Sequence, residues 1–432
     1  MRKYDSYKNS GVKWLGEIPS HWDSVSLLYM LRGKISDGPH ETPDLKEDGI
    51  PFISIDSLNE TKNIDFSIVK KFISSKDYER YCLKTKLEEG DVLFSKAATI
   101  GKTAIVRDEI FMVWSPLAIL KPDYNKITTM YLYYIMNCKK AIEEVSMSGS
   151  KNTQINVGIR ELEKVRIPIP SIKEQEAIAN YLDAVTSKID EAIAQQQKMI
   201  DLLNERKQII INNAVTKGLD PNVKMKPSGI DWIGNIPEHW DVRRGKFLFR
   251  IVNELSNTGD EELLTVSDKT GITPRSMKNV TMFMAESLVG YKKCKIGDIC
   301  SNIMWMWHGA VGVTKYNGVI SPSYGVYRQR SRNFVDEFLD KLLRLPQLVK
   351  LYTALSTGLT ESRLRLYPND FMNISFYVPP IDEQKAILSY LERYITPIDN
   401  AIQSATKQIS LLQERKQIII NDIVTGKIKV YE

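Results

Sequence analysis

Two stretches of the chain carry apolar residues at the spacing of an α-helix. In the first stretch, Ile178 to Ala214, ten steps cover 36 residues, and polar residues interrupt the series only at Gln196 and Lys207. A mean step of 3.6 residues is the period of a straight α-helix, so the helix has one apolar face along its whole length. The second stretch, Ile387 to Ile423, repeats this pattern.

Local signals predict an interruption near the start of each helix. Thr396-Pro397 is typical of an N-cap followed by proline at the first helical position, and Ser187-Lys188 occupies the matching place. We therefore expect a short helix, a kink and then a helix of about 30 residues, about 45 Å long. These long helices should end at Lys217 and near Gly426.

An amphipathic helix of this length must bury its apolar face against another element. The other helix is the available partner, and antiparallel pairing of the two would give an internal pseudo-twofold repeat. The alternative is that each helix packs separately on its own globular domain. Arg206-Lys207 and Arg415-Lys416 interrupt the apolar faces at the same place. These cations could pair with Glu205 and Glu414, form a docking point, or simply be solvated.

The segments before the helices, residues 24–170 and 242–378, consist of short apolar runs separated by turn residues, with helical patterns at Thr129–Val145 and Val335–Leu355. The candidate strands are Val92–Ser95, Thr103–Val106, Leu117–Leu120, Ile299–Trp307, Ala310–Thr314 and Gly325–Arg328. Trp305 is expected in the core, like Trp307, because both fall in an apolar strand. The pattern is that of an α+β domain used twice.

Sequences at both ends of these segments occur twice. Gly11–Asp23 recurs at Gly229–Asp241 with eight of thirteen positions identical, and Leu202–Gly218 recurs at Leu411–Lys427 with twelve of seventeen identical. The offsets are 218 and 209 residues, so the middles differ in length. Two copies of one module with similar ends and different middles suit a protein that holds two different targets at a fixed separation.

The net charge of +6 lies in the middles, because residues 1–170 carry +2 and 219–378 carry +5, whereas 171–218 carry −1 and 379–432 are neutral. A positive balance there fits a nucleic-acid surface, since each cation near a phosphate releases a counterion. Ordinary surface variation would give the same balance. The composition, 43% hydrophobic and 26% charged, is that of a globular protein.

Several other classes are disfavoured. No apolar run reaches the roughly 20 residues of a membrane span, and Met1–Ser10 is charged and polar, so we expect a cytoplasmic protein with no membrane contact. The four cysteines form no CxxC pair and the four histidines no HExxH pair, so we expect no metal. Gly101-Lys102-Thr103 resembles the end of a P-loop, but Lys96 stands where that motif requires glycine. His21 and His239 are expected to be structural, and we expect no catalytic residue.

The repeated motifs have a recognisable match. Trp-x-Gly-x-Ile-Pro-x-His-Trp, at Trp14–Trp22 and Trp232–Trp240, resembles the start of each half of the specificity subunits of type I restriction-modification systems. The proline-containing entry with Glu-Gln-x-x-Ile, at Ile167–Ile178 and Val378–Ile387, is similar to that family too, as is the Leu-Leu-x-Glu-Arg-Lys-Gln that follows. The resemblance covers the whole chain, in order and in duplicate.

This resemblance implies a non-catalytic subunit that binds double-stranded DNA and reads an asymmetric, bipartite sequence, one half-site per recognition domain. In that family the paired helices act as a spacer and as the platform for two copies of the modification (methyltransferase) subunit. S-adenosylmethionine would then be bound by that partner. ATP and Mg would serve the restriction (translocase/nuclease) subunit, and no cofactor is expected on this chain.

Loops of the recognition domains are the expected DNA-reading surface, because Arg, Lys, Asn and Gln suit base edges and phosphates. For each single residue the alternative is an ordinary exposed polar side chain. The candidates are Gly38, His40, Thr42, Lys96, Thr99, Lys102, Lys151, Asn152 and Gln154 in the first copy, and Asn257, Arg275, Lys278, His308, Thr360, Ser362, Arg363 and Arg365 in the second.

The sequence therefore predicts an α+β chain in which two globular target-recognition domains, residues 1–170 and 219–378, are joined by two long antiparallel helices, residues 171–218 and 379–432. A coiled-coil scaffold with two protein-binding heads and a self-contained DNA-modifying enzyme are the alternatives.

Overall fold

Contacts in a computed structural model divide the chain into two units. Unit 1 comprises residues 1–197 and 406–432, and unit 2 comprises residues 198–405. The structure describes residues 2–59, 61–149, 155–230, 232–278, 285–360 and 363–431. Each unit thus contains one α+β region and part of each long helix. The predicted domain boundaries at residues 170, 218 and 378 stay a prediction. They divide the chain into consecutive segments, whereas the two units are defined by contacts in space.

The globular part of unit 1 is built from short strands and helices. Its strands are β1 (Tyr7–Asn9), β2 (Glu17–Pro19), β3 (Asp23–Ser26), β4 (Ser36–Asp37), β5 (Ile50–Ile53), β6 (Phe72–Ile73), β7 (Val92–Ser95), β8 (Thr103–Ile105), β9 (Met112–Val113), β10 (Leu117–Leu120) and β11 (Arg166–Ile169). Its helices are α1 (Ser75–Cys82), α2 (Thr129–Met136), α3 (Lys139–Met147) and α4 (Ile159–Lys164), followed by the long helix α5 (Ile172–Lys217).

Unit 2 has a similar set of elements. Its strands are β12 (Met225–Pro227), β13 (Asn235–Pro237), β14 (Asp241–Arg244), β15 (Phe249–Ile251), β16 (Leu264–Ser267), β17 (Gly271–Pro274), β18 (Lys292–Cys294), β19 (Ile299–Ser301), β20 (Val311–Val313), β21 (Gly318–Ile320), β22 (Gly325–Gln329) and β23 (Ser375–Val378). Its helices are α6 (Gly245–Leu248), α7 (Asp336–Leu343), α8 (Pro346–Leu355) and α9 (Pro368–Asn373), followed by the long helix α10 (Ile381–Val424).

The central sheet has the same strand order in both units. Unit 1 has the antiparallel order β4-β10-β7-β8, and unit 2 has β15-β22-β19-β20. In the register of unit 1, Leu93 faces Ile119 and Ala104, and every residue of β7 and β10 is buried. The second unit further contains the hairpin β16-β17, and the first contains the sheet β6-β5-β9. The shared α+β fold is thus confirmed, and the additions show where the two middles differ.

A buried aspartate precedes the central strand of each sheet. Asp91 accepts a hydrogen bond from Glu88 N at 2.9 Å and another from Lys121 Nζ at 2.9 Å. Asp298 accepts from Lys295 N at 2.8 Å and from Arg328 Nε at 2.6 Å. Burial raises the pKa of Asp91, and the Lys121 ammonium opposes that shift. Each aspartate holds the turn that leads into β7 or β19.

Each long helix is one continuous element, so the predicted interruption near its start is wrong. Helix α5 has 46 residues, and α10 has 44 residues with Pro397 inside it. Proline removes one backbone hydrogen bond, which usually costs about 3 kcal/mol in a helix interior. Ile395 and Ile398 on either side of it are both buried, so burial of the apolar face offsets this cost. In α5, Ser187 lies within the helix and does not cap a new one.

Each of the two helices predicted in the middles is instead a pair of helices. Residues 129–145 divide into α2 and α3 at Cys138, which donates a hydrogen bond from Sγ to Asn421 Oδ1 of α10 at 2.7 Å. Burial raises the pKa of the Cys138 thiol to about 11, so the thiol keeps its proton for this bond. In unit 2, Pro346 starts α8, and the next residue, Gln347, donates to Asn212 Oδ1 of α5 at 2.6 Å. The repeated asparagines Asn212 and Asn421 therefore contact matching helix breaks.

The long helices run antiparallel within each unit. In unit 1 an ion pair joins Asp190 of α5 to Lys416 of α10. Gly426, after the end of α10, lies against Pro19 and Trp22, since a Cβ built on it would be 2.3 Å from Pro19. His21, next to Trp22, contacts Glu174 at the start of α5. In unit 2 Lys207 pairs with Asp399, and a Cβ on Gly218 would lie 2.7 Å from Glu383 Oε1. High numbers on one helix meet low numbers on the other in both cases. The predicted antiparallel pairing is confirmed within each unit, and each helix also packs on the globular part of its unit.

The repeated Glu-Gln dipeptide anchors the first turn of each long helix. Gln175 donates to the carbonyls of Lys126 and Pro170, and its side-chain oxygen accepts from Thr128 N. Gln384 does the same with the carbonyls of Asn333 and Pro379 and with Val335 N. His21 contacts Glu174 at 3.1 Å, and His239 contacts Glu383 at 2.7 Å. Both histidines thus join the repeated N-terminal motif to a helix.

Candidate nucleic-acid interface

In each unit, the connection between the last two strands of the central sheet contacts a segment near a second predicted loop. In unit 1 the β7-β8 loop, residues 96–102, contacts residues 155–157, because Val157 N donates to Lys96 O at 2.9 Å and Ala97 forms a β-bridge with Asn156. In unit 2 the β19-β20 loop, residues 302–310, contacts residues 364–366 through Leu366 N and Ile303 O at 3.1 Å. The same strand connection is therefore paired with the same kind of returning segment in both copies.

A third predicted segment joins this site in unit 1. Asp37 ends β4, and its carboxylate lies 3.1 Å from Lys96 Nζ in an ion pair whose side chains are only 11% and 8% exposed. A Cβ on Gly38 would lie 1.9 Å from Val113 O, so glycine is required there by the close approach of the backbone. Gly38 and Lys96 thus have structural tasks, and the structure does not bring the Lys96 ammonium to the surface.

The remaining candidates of unit 1 differ in exposure. His40 is exposed, with Nε2 3.2 Å from Asp37 Oδ1, and Thr42 is exposed beside it. Thr99 is exposed, while Lys102 is half-buried and donates from Nζ to Ile55 O at 3.3 Å. Lys151, Asn152 and Gln154 lie outside the described residues. His40, Thr42 and Thr99 therefore stay the accessible candidates of the described part of this unit.

Backbone geometry sets the shape of the β7-β8 loop. Ala98 has φ of 57°, in the left-handed region that alanine seldom adopts. The Ser95 hydroxyl supports the loop, since Oγ donates to Thr99 O at 2.6 Å and accepts from Lys102 N at 2.8 Å. Thr99 is consequently held at the tip of a braced turn.

The matching loop of unit 2 is aromatic. Trp305 lies parallel to Trp307 with ring centroids 5.9 Å apart, and it stacks on His308 at 5.2 Å. The prediction that Trp305 occupies the core is wrong, because β19 ends at Ser301 and the Trp305 side chain is 53% exposed, whereas Trp307 is half-buried. Met306 is the residue of this turn that is fully buried. The apolar run Ile299–Trp307 resembles one strand in sequence, because Met and Trp side chains occur both in a core and on an exposed surface.

Arginines accompany this aromatic loop. Arg363 is exposed, and Arg365 is half-buried with its backbone bonded to Thr357. The Nη1 atom of Arg365 is buried without a hydrogen-bond partner among the described residues. Thr360 is exposed, and Ser362 lies outside the described residues. His308, Thr360, Arg363 and Arg365 thus belong to the two neighbouring segments of unit 2.

The other three candidates of unit 2 lie elsewhere. Asn257 is exposed in the loop after β15, next to Ser256, which donates to Glu261. Arg275 starts a short 3-10 turn after β17 and Lys278 follows that turn. Arg275 N donates to Leu263 O, so this group lies at the open end of the β16-β17 hairpin.

The long helices show which residues of the Leu-Leu-x-Glu-Arg-Lys-Gln repeat face inward. Lys416 Nζ lies 2.7 Å from Asp190, and Lys207 Nζ lies 2.6 Å from Asp399. In each unit, therefore, the lysine of one repeat meets the aspartate of the other. These lysines pair with aspartates of the opposite helix, a detail that sequence reasoning missed. The repeated spacing of Asp190 and Asp399 was its only signal.

The same repeat also has an outward face, formed by four exposed residues in each copy. Leu202 and Ile209 in unit 2 are 56% and 52% exposed, and Leu411 and Ile418 in unit 1 are 54% and 51% exposed. A glutamate and an arginine lie between them, so the spacing i, i+3, i+4, i+7 places all four on one helix face. We call these the outer faces: Leu202, Glu205, Arg206 and Ile209, and Leu411, Glu414, Arg415 and Ile418.

The described part of the chain contains no group of three or more His, Cys, Asp or Glu side chains arranged to hold a metal ion. None of the described helices combines the length and the apolar character needed to cross a membrane.

Comparison with known proteins assigns both globular regions to the same kind of domain. A family model described as type I restriction modification DNA specificity domain matches residues 37–200 and again 237–410. The chain is 26% identical over 457 residues to a protein of Methanocaldococcus jannaschii described as the MjaX specificity subunit of a type I restriction enzyme, covering 99% of this chain and 98% of that one. The MjaVIII specificity subunit of the same organism is 25% identical over 453 residues, covering 98% and 97%.

The fold has a solved counterpart. A structure from work on complex assembly and conformational transition of the type I R-M system has a TM-score of 0.63 at 14% identity, covering 95% of this chain and 99% of that chain. At this identity the likeness concerns the fold.

Proposed function

Because the chain belongs to the family of type I restriction-modification DNA specificity proteins, we propose that each of its two globular regions reads one half of a bipartite DNA target. The chain is the specificity subunit, and catalysis belongs to its partners. One observation carries the bipartite reading: the specificity domain occurs twice, on one strand order, with unlike side chains in the matching loops. Unlike loops on a shared scaffold imply two unlike half-sites.

The loop pairs supply suitable chemistry for the reading surface. In unit 2 the exposed Arg363 and the half-buried Arg365 are cations of the type that suits phosphates or guanine edges. In unit 1 the accessible groups are smaller and mostly neutral, namely His40, Thr42 and Thr99. Asn257, Arg275 and Lys278 would contact DNA only if the duplex also passes the β16-β17 hairpin. Four candidates outside the described residues stay predictions, namely Lys151, Asn152, Gln154 and Ser362.

Each outer face would bind one copy of the modification subunit. Packing of the long helices uses other residues, yet the same four residue types at the same spacing are exposed in both units. Divergence has changed the recognition loops, while this surface has stayed the same. An exposed leucine and isoleucine two helical turns apart, with a Glu-Arg pair between them, give each unit an apolar surface that a protein partner would cover. Two identical patches would bind two identical partners.

The remaining partners follow from the family. S-adenosylmethionine would be bound by the modification subunits, and ATP and Mg by the restriction subunit, so this chain would need no cofactor. The paired helices would act as the spacer between half-sites. Work on cellular DNA would place the complex in the cytoplasm.

Methylation mapping tests this function. The chain would be expressed with its modification subunit in a host that lacks this system, and methylated adenines would be mapped across the genome. We expect one motif with two unlike half-sites and a fixed gap, absent when the chain is omitted. Methylation that does not depend on the chain, or a continuous motif without a gap, would contradict the proposal.

A further inference from the structure

The β19-β20 loop presents an exposed aromatic shelf. Trp305, Trp307 and His308 stack on one another, with Trp307 and His308 only 4.0 Å apart and Trp305 parallel to both within 22°. Two members of this shelf, Trp305 and His308, are exposed. A large ring exposed on a soluble domain loses the stabilisation that its burial would give, so a partner that covers it is favoured.

The shelf is held in place from below and behind. Met306 is fully buried beneath it, and Trp307 donates from Nε1 to Met304 O at 3.0 Å. Thr353 of α8 donates from Oγ1 to Trp307 O at 3.1 Å, and Gly309 closes the turn with φ of 86°. A preorganised ring loses little conformational entropy on binding. The turn that carries Trp305 is therefore held in place, and the Trp305 ring stacks on Trp307 and His308.

The surroundings of the shelf indicate a nucleic acid as its partner. Residues 364–366 lie beside Ile303, two residues before Trp305, and this segment carries the half-buried Arg365 and follows the exposed Arg363. The globular region carries a charge of +5 over residues 219–378. Cations that flank an apolar ring match a duplex, in which phosphates flank the base edges.

We propose that Trp305 is a specificity-determining residue that packs on a thymine methyl group in the half-site read by unit 2. This inference rests on the proposed DNA-reading function. The thymine methyl is the apolar group that a base pair offers in the major groove, and an indole ring supported from behind is suited to it. The matching loop of unit 1, residues 96–102, contains no aromatic residue. The contact is thus confined to one half-site.

A cycle that changes both the protein and the DNA tests the contact. The assembled complex of this chain and its modification subunits would bind duplexes in which each thymine of the mapped target is replaced in turn by uracil, which lacks only the methyl. We expect one position in the unit 2 half-site where wild-type binding falls about fourfold, the value of one buried methyl group. In Trp305→Ala the same replacement should have no further effect. Trp305→Phe, which keeps an apolar ring, should retain part of the dependence.

Uracil replacements in the other half-site serve as the internal control, since their effects should be the same in wild type and Trp305→Ala. Unchanged methylation at that half-site would also show that the variant is folded. Four results would overturn the proposal. Two concern the DNA: no thymine position whose replacement depends on Trp305, or a unit 2 half-site that contains no thymine. Two concern Trp305→Ala: equal weakening of binding to specific and unrelated DNA, or loss of a protein subunit from the complex while DNA binding is unchanged. If the wild-type complex reads no bipartite motif, the proposed function fails first, and this result is distinct from all four.

Discussion

The β7-β8 loop of unit 1 and the β19-β20 loop of unit 2 occupy the same place in one sheet topology, yet they use it differently. Residues 96–102 bury Lys96 against Asp37 and present threonine at a braced tip. Residues 302–310 bury Met306 and present a stacked aromatic shelf. The supporting elements, by contrast, match in both units, from the buried aspartate before the central strand to the glutamine at the helix start.

This comparison separates two kinds of surface. Features that both copies share either hold the fold or face a partner that binds twice, as the outer faces would. Features that differ are free to read different DNA. A residue can therefore be assigned to one class by asking whether its counterpart in the other unit does the same thing.

Lys96 should produce the largest effect on stability, because its ion pair with Asp37 is almost fully buried. It has no charged counterpart in unit 2, where Asn302 follows Ser301. Lys96→Met would leave Asp37 almost buried without its cation, and we expect the free energy of unfolding of unit 1 to fall by about 3 kcal/mol. Hydrogen exchange of the β4 and β7 amides would measure this loss unit by unit. The double variant Lys96→Met with Asp37→Asn should recover most of it. Normal stability with selective loss of DNA binding would instead make Lys96 a DNA contact.

The outer faces test the shared class. Ile209→Glu should remove one modification subunit from the complex, Ile418→Glu the other, and the double variant both. We expect each change to weaken binding by about 2 kcal/mol, roughly thirtyfold, because a charge is placed in an apolar contact. Native mass spectrometry of the assembled complex would count the subunits.

Asn204→Glu is the matched control, since residue 204 is exposed on the same helix but about 200° around it from Leu202. It should leave both subunits bound. A complex that keeps both subunits in the double variant would refute the assignment of the outer faces.

How much could be predicted from sequence depended on the range of the interactions. The 3.6-residue stripes predicted both long helices and their pairing, because burial of a continuous face is visible in the spacing itself. Two predictions, a new helix starting at Pro397 and a single helix over residues 129–145, are wrong for a common reason. In both cases residues distant in sequence determine where the helix continues or breaks. Burial of Ile395 and Ile398 keeps α10 continuous, and Asn421 lies 283 positions from the break that it contacts at Cys138.

The candidate site shows the same limit. The loops were predicted from their turn residues, and in unit 2 the structure places the β19-β20 loop against residues 364–366. Exposure within a loop was not predictable. Lys96 is buried by an ion pair with Asp37, which lies 59 residues earlier in the chain, and Trp305 is exposed because its strand ends at Ser301. The role of Glu-Gln was hidden too, since Gln175 binds backbone atoms of residues 126 and 128.

The lysines between the helices sharpen the comparison, because equivalent ion pairs differ in burial. The Lys416 side chain is 9% exposed and Lys207 is 31% exposed, each facing a partly exposed aspartate. We expect Lys416→Ala to cost about 1 to 2 kcal/mol of stability after solvent screening, and Lys207→Ala less than about 1 kcal/mol. Denaturant unfolding followed by hydrogen exchange in each unit would compare them. Equal losses would mean that burial does not govern these pairs, and charge exchange between Lys416 and Asp190 should restore most of the loss.

Arg363 should give the smallest effect on stability and the clearest signature of a surface that serves only DNA. Its side chain is exposed, so Arg363→Ala should leave stability unchanged. If the guanidinium neutralises one phosphate, binding should weaken by about 1 kcal/mol, roughly fivefold, on specific and unrelated DNA alike, and the salt dependence should fall by about one ion. Lys102→Ala in unit 1 is the comparison, because its ammonium already donates to Ile55 O and should contribute less to the salt slope. A steeper loss for Lys102 than for Arg363 would reverse the ranking of the two loops, since it would make the compact loop of unit 1 the stronger phosphate contact.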